Sequence, residues 1–106
     1  MSTPPIGQFG HVETALARIE RLAEELRADP DGNVKRSVEE VRAAFAAREP
    51  VEPTVLRMQK SLQMLRRDNH DGSRREYQRR ATGLDHLDDV VEGELLPNLR
   101  RLGFEV

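Results

Sequence analysis

The segment Arg57–Leu96, RMQKSLQMLRRDNHDGSRREYQRRATGLDHLDDVVEGELL, has its charges sorted along the chain instead of mixed. From Arg57 to Arg80 there are eight basic residues, Arg57, Lys60, Arg66, Arg67, Arg74, Arg75, Arg79 and Arg80, against three acids, Asp68, Asp71 and Glu76. From Ala81 to Leu96 there are five acids, Asp85, Asp88, Asp89, Glu92 and Glu94, and no Lys or Arg. The whole chain carries a formal charge of only −2, so the overall balance conceals this split.

The same segment decides the fold, because it holds two helical periodicities separated by turn chemistry. Val55, Met58, Leu62 and Leu65 recur at steps of three and four and share one helix face. Leu56 and Met64 fall outside that stripe, so this helix is expected to touch neighbours on two sides. Asp68-Asn69-His70-Asp71-Gly72 is a turn by composition, and Ser73 followed by Glu76 is a capping box that restarts a helix. The new stripe is Tyr77, Ala81, Leu84, Leu87, Val91 and Leu95, with Val90 alongside. Pro97 cannot donate a bond to the carbonyl of Gly93, so a kink is expected between them. Leu99 and Leu102 continue the apolar face beyond it. Gly103 suits a left-handed cap, with Arg100 and Arg101 facing the negative helix end and Phe104 folding back on Leu99.

Two more helices precede this segment. Phe9, Val12, Leu16, Ile19, Ala23 and Leu26, widened by Leu22, form an amphipathic stripe of about five turns. Asp29-Pro30-Asp31-Gly32-Asn33 ends it. Val34, Val38, Val41 and Phe45 form the second stripe, and Ser37 with Glu40 fits a capping box, which allows a start at Ser37 instead of Asn33. Glu49-Pro50-Val51-Glu52-Pro53 is then a stiff connector, with the third helix beginning near Thr54. No stretch alternates as a strand does. The expected fold is all-α, a small four-helix bundle with a long, Pro-kinked C-terminal helix. Residues 1–8 are expected to be a flexible arm, and 9–106 a single helical domain.

At 106 residues the core is small, and 37% apolar against 34% charged residues leaves little large apolar surface to share among helices. That shortage favours completion by a second copy, most simply a two-fold homodimer. The chain has no cysteine, which excludes disulfides, thiolate metal sites and Cys nucleophiles. No apolar run approaches the ~20 residues of a membrane span, and Met1 to Gly10 has neither the basic nor the apolar region of a secretory leader. A cytoplasmic protein is the expectation. High Ala, Arg, Leu and Glu with only Lys35 and Lys60 suggests a bacterial source.

Candidate chemistry is sparse. Asp85, Asp89 and Glu92 share one helix face, with Asp88 a little round the cylinder and His86 close by. Carboxylates so placed could hold a hard divalent cation, but the Glu-x-x-His pairing of helical di-metal sites is absent. Neither Asp-Gly turn has the end carboxylates of a calcium loop. His11, His70 and His86 belong to different elements, and no phosphate loop, nucleophile elbow or H-E-x-x-H occurs. No catalytic, cofactor-binding or metal-ligating residue is assigned, and no cofactor is expected. Asp88 falls where the stripe asks for an apolar residue, so it sits at the stripe edge or meets an Arg across an interface. The basic residues Arg57 to Arg80 could contact phosphates, yet a pI near 5.9 and the absence of wing strands argue against a dedicated nucleic-acid binder. The expectation is a non-enzymatic, self-associating helical protein, a regulator, adaptor or structural accessory working through protein–protein contacts. Its interaction residues are the eight basic ones together with Asp85, Asp88, Asp89 and Glu92. A small nucleic-acid-contacting regulator is the alternative, and a metal-dependent helical enzyme the third.

Overall fold

The structure is a computed structural model that describes residues 6–26, 31–67 and 74–106, with side chains from Gly10 onward. Helix α1 spans Ile6–Glu25, α2 Asn33–Ala46, α3 Glu52–Arg67 and α4 Arg74–Val90; a π turn at Val91–Leu95 leads into α5, Leu96–Arg101. The last three run on without a break, so the described residues form four helices and contain no strand. Of the arm expected over 1–8, residues 1–5 lie outside the described residues, and α1 begins at Ile6.

Each helix packs on its chain neighbours, and α1 closes the ring against α4, the π turn and α5. Cross-helix pairs show α2 antiparallel to α3 and, with Leu26 lying at Gly83, α1 antiparallel to the C-terminal helix. Arg42 of α2 reaches both Glu13 and Glu20 of α1. Ser37 and Arg57 meet Ser61 and Glu40 between α2 and α3. Arg18 of α1 meets Glu94 in the π turn. This is the up-and-down bundle that short connections favour.

The core is the expected set of stripes. Val12, Leu16, Ile19 and Ala23 of α1, Val34, Val38, Val41 and Phe45 of α2, Val55, Met58 and Leu62 of α3, and Leu84, Leu87, Val90, Val91, Leu95 and Leu99 of the C-terminal helix are all buried. Ala15 and Ala44 join them and let the helices approach closely. The side chain of Phe9 lies outside the described residues.

Helix boundaries differ from expectation where burial outweighs capping. α2 starts at Asn33, after Gly32 in the left-handed region (φ 70°), because an earlier turn is needed to bury Val34 completely. Ser37 is therefore an interior residue. It is buried, and its hydroxyl donates to the carbonyl of Asn33 at 2.9 Å, so no capping box forms there. α3 starts at Glu52, which puts Pro53 in the first turn, where its missing N–H costs nothing. The Thr54 hydroxyl donates to the Val51 carbonyl at 2.6 Å and closes that turn. The turn at Asp68–Gly72 and the Ser73 end of the second capping box lie outside the described residues.

Ahead of Pro97, in the stretch where a kink is expected, the helix widens into the π turn. The N–H of Leu96 bonds the carbonyl of Val91, five residues back. One extra residue in that turn draws the backbone away from the proline ring, which would crowd a carbonyl in α geometry. Asn98, buried on α5, donates its side-chain N–H to the carbonyl of Glu94 at 2.6 Å and supplies a bond in the region where Pro97 can give none.

Two Schellman endings lie side by side at the α5 end of the bundle. Gly103 (φ 93°) ends α5, with Phe104 N–H on Leu99 O and Gly103 N–H on Arg100 O, both at 3.0 Å. α2 ends the same way, with Glu49 N–H on Ala44 O at 2.9 Å and Arg48 N–H on Phe45 O at 3.2 Å, but its left-handed residue is Arg48 (φ 57°). The rings of Phe45 and Phe104 pack with centroids 5.4 Å apart, which ties the two endings together.

A side chain in the left-handed region costs about 1–2 kcal/mol relative to glycine, partly offset by glycine's greater freedom when unfolded. Arg48→Gly is thus expected to raise unfolding stability by about 0.5–1 kcal/mol in urea titrations. A loss of stability would show that the Arg48 side chain makes a compensating contact. In the same assay Leu87→Ala should cost about 2–5 kcal/mol.

Candidate interaction site

The basic-to-acidic split is used first inside the chain. Arg66 in the last turn of α3 reaches across to α4, its Nη1 donating to Asp85 at 2.9 Å and its Nη2 to Asp88. Asp85 and Asp88 are three residues apart on a helix, so one guanidinium spans both. These two hydrogen bonds raise the Arg66 pKa above its ordinary value, so the clasp does not fail by deprotonation of the arginine. Asp88 is half-buried at the edge of the apolar stripe and meets its arginine within the chain, not across an interface.

The clasp sets the register of α3 against α4. A tight antiparallel hairpin would place the acidic segment beside Arg57 and Lys60, and the start of α4 beside Arg66 and Arg67. Instead Arg66 holds Asp85 and Asp88, and Arg57 turns to Glu40 of α2 at 3.4 Å. α4 is thus set so that its first turns run past the end of α3, because its acids, not its arginines, are attracted to Arg66.

Those first turns are consequently open. Every residue from Arg74 to Arg79 is exposed, and Tyr77, expected on the core stripe, is 47% exposed. The stripe becomes core only from Leu84 onward, with Ala81 half-buried. The other support for this end comes from α1: Leu26 lies across α4 at Gly83, so closely that a Cβ there would stand 2.3 Å from Leu26 Cδ2. This is why a glycine occupies the middle of a helix. Glu25 and Leu26 line one concavity with Glu76, Arg79 and Arg80.

The eight basic residues are therefore not one patch. Arg57 and Arg66 are engaged on two different neighbours, Lys60 and Arg67 lie on the outer face of α3, Arg74, Arg75 and Arg79 are on the projecting turns of α4, and Arg80 is half-buried beside Glu25 and Leu26 of α1. Of the acids, Asp85 and Asp88 belong to the clasp while Asp89 and Glu92 are exposed. His11 and His86 are exposed on α1 and α4, and His70 lies outside the described residues. Among the described residues no group of three His, Asp or Glu is placed to hold a metal ion.

Two apolar side chains remain on the outside of α3, Leu56 at 56% and Met64 at 48% exposure, with Lys60 between them. At the opposite end from the projecting turns, the paired Schellman endings enclose a cleft of about 490 Å³ lined by Arg48, Glu49, Pro50, Glu52, Leu102, Gly103, Phe104 and Glu105. Sequence patterns single out neither this cleft nor Arg42, whose guanidinium gathers Glu13, Glu39 and Glu20. Partial burial disfavours the Arg42 charge, but the Glu13 hydrogen bond and the three carboxylates outweigh it and raise its pKa. Glu13 and Glu20 stand seven apart on α1, which is the one signal in the sequence that could have pointed to a shared partner.

No family model matches the chain, and neither a curated protein nor a solved structure does.

A double-mutant cycle tests the clasp. Arg66→Ala and the pair Asp85→Ala with Asp88→Ala should each cost up to about 1 kcal/mol, with a coupling that shrinks as salt is raised, as for exposed ion pairs. Additive losses would show that Arg66 does not set the register of α4.

Proposed function

We propose that this is a non-enzymatic helical protein that self-associates and works through protein–protein contacts, as a regulator, adaptor or structural accessory. The observation that carries this reading is the placement of its exposed large apolar side chains. Leu56, Met64 and Tyr77 each stand about half exposed among basic residues, on the outer face of α3 and the projecting start of α4. Single exposed apolar residues are ordinary. Here they accompany turns of α4 that carry helical residues beyond the core, and a small core gains by covering them. Charged residues around apolar anchors then set orientation and partner choice.

Nucleic-acid contact is less well supported. A phosphate-binding surface needs several cations on one face, whereas Arg66 and Arg57 are drawn into intrachain pairs and the rest are distributed over two helices.

Sedimentation equilibrium of the full chain is expected to show a mass above that of one copy at micromolar to millimolar concentration, and Tyr77→Ser should reduce it. A single-copy mass throughout would contradict self-association. Fluorescence anisotropy with duplex DNA and single-stranded RNA is expected to give affinities no tighter than about 10⁻⁴ M at physiological salt. Tighter binding that falls steeply with salt would favour the nucleic-acid reading.

A further inference from the structure

We propose that copies of this chain associate head to tail, the projecting first turns of α4 from one copy entering the cleft between the Schellman endings of the next. This rests on the self-association reading above and specifies which surfaces meet. The two surfaces match in shape and in charge. The projecting end offers Tyr77 among Arg74, Arg75, Arg79 and Arg80, four arginines against Glu76 and the neighbouring Glu25 of α1. The cleft offers an apolar floor from Pro50, Leu102 and Phe104, with Glu49, Glu52 and Glu105 against the single base Arg48. None of those three glutamates makes an ion pair among the described residues. The cleft volume of about 490 Å³ accommodates an aromatic side chain with its flanking residues. An aromatic anchor entering an apolar site inside a ring of opposite charge is the arrangement that concentrates binding energy at interfaces.

The two surfaces lie at opposite ends of the bundle. Arg74 to Arg101 is 28 residues of continuous helix, about 42 Å at 1.5 Å per residue. One copy therefore cannot satisfy itself, and a pair joined by one such contact leaves one cleft and one projecting end unfilled. A heterologous contact of this kind propagates into an open series or closes into a ring. The exposed apolar residues of α3 divide the same way. Leu56 is one turn from Glu52 at the cleft, and Met64 is one turn from the end of α3 beside the projecting turns.

Two full-length variants test this, each blocking one end at exposed positions: Tyr77→Ser with Arg74→Glu, and Glu52→Arg with Glu105→Arg. Circular dichroism and a thermal melt establish that both fold as the unaltered chain does. The unaltered chain is expected to form species of more than two copies, seen by light scattering. Each variant alone should associate at least about tenfold more weakly. Mixed together, they should form a 1:1 pair and stop there, since only one intact projecting end and one intact cleft remain. A mixture that stays single-copy, or a variant that associates as well as the unaltered chain, overturns the proposal. If the unaltered chain is a dimer that both variants retain, self-association stands and head-to-tail contact is wrong. If the unaltered chain is a single copy throughout, both fail.

Discussion

The burial of one stripe on α1 holds the bundle together. Val12, Leu16 and Ile19 are completely buried, and Ala15 and Ala23 nearly so, because α1 is covered on one side by α2 and on the other by the C-terminal helix. Each large side chain taken out of water contributes roughly 1.5–3 kcal/mol against the entropy of ordering the chain. α3 completes the ring from the far side, chiefly on α2. Its weaker contact with α4 leaves the relative position of those two helices to be decided by charge as well as by packing.

That division explains why the charge-sorted segment is arranged as it is. The arginine at the end of α3 and the acids in the middle of α4 settle which turn of α4 stands beside the end of α3. Arg74, Arg75 and Arg79 then fall beyond the end of α3, where they are exposed. The same helix is therefore structural in its second half and open in its first. At the other end the paired rings of Phe45 and Phe104 bring two helix endings together and leave a concave, acidic-rimmed surface between them.

Much of this is visible in the sequence, for reasons that differ by feature. Because a 3.6-residue period survives any choice of neighbour, the apolar stripes predict most of the core between Val12 and Leu99, but not Ala15, Ala44, Val51 or Leu96. The Gly103 ending is equally legible, since glycine followed by an aromatic after two arginines has few other uses. Tyr77 is misjudged because periodicity says which face a residue occupies but not whether another helix extends far enough to cover it. The start of α2 is left open between Asn33 and Ser37 because Ser37 and Glu40 have the spacing of a cap, and the structure takes the earlier start, with Val34 buried. The left-handed Arg48 gives no signal, as nothing in its side chain announces that conformation. The charged residues of Arg57–Leu96 can be read off the sequence as a list. Their separation into clasp, outer face and projecting turns depends on the register of α3 against α4, which no local pattern encodes.

Hydrogen exchange along the C-terminal helix, at low and high protein concentration, tests most directly the claim that α4 is open at its start and anchored from Leu84 onward. Amides from Leu84 to Leu99 should be strongly protected at both concentrations, while those from Gln78 to Thr82 should exchange rapidly in dilute solution and slow as concentration rises. Uniform protection along the helix at both concentrations would contradict it, because the first turns would then be covered within a single copy.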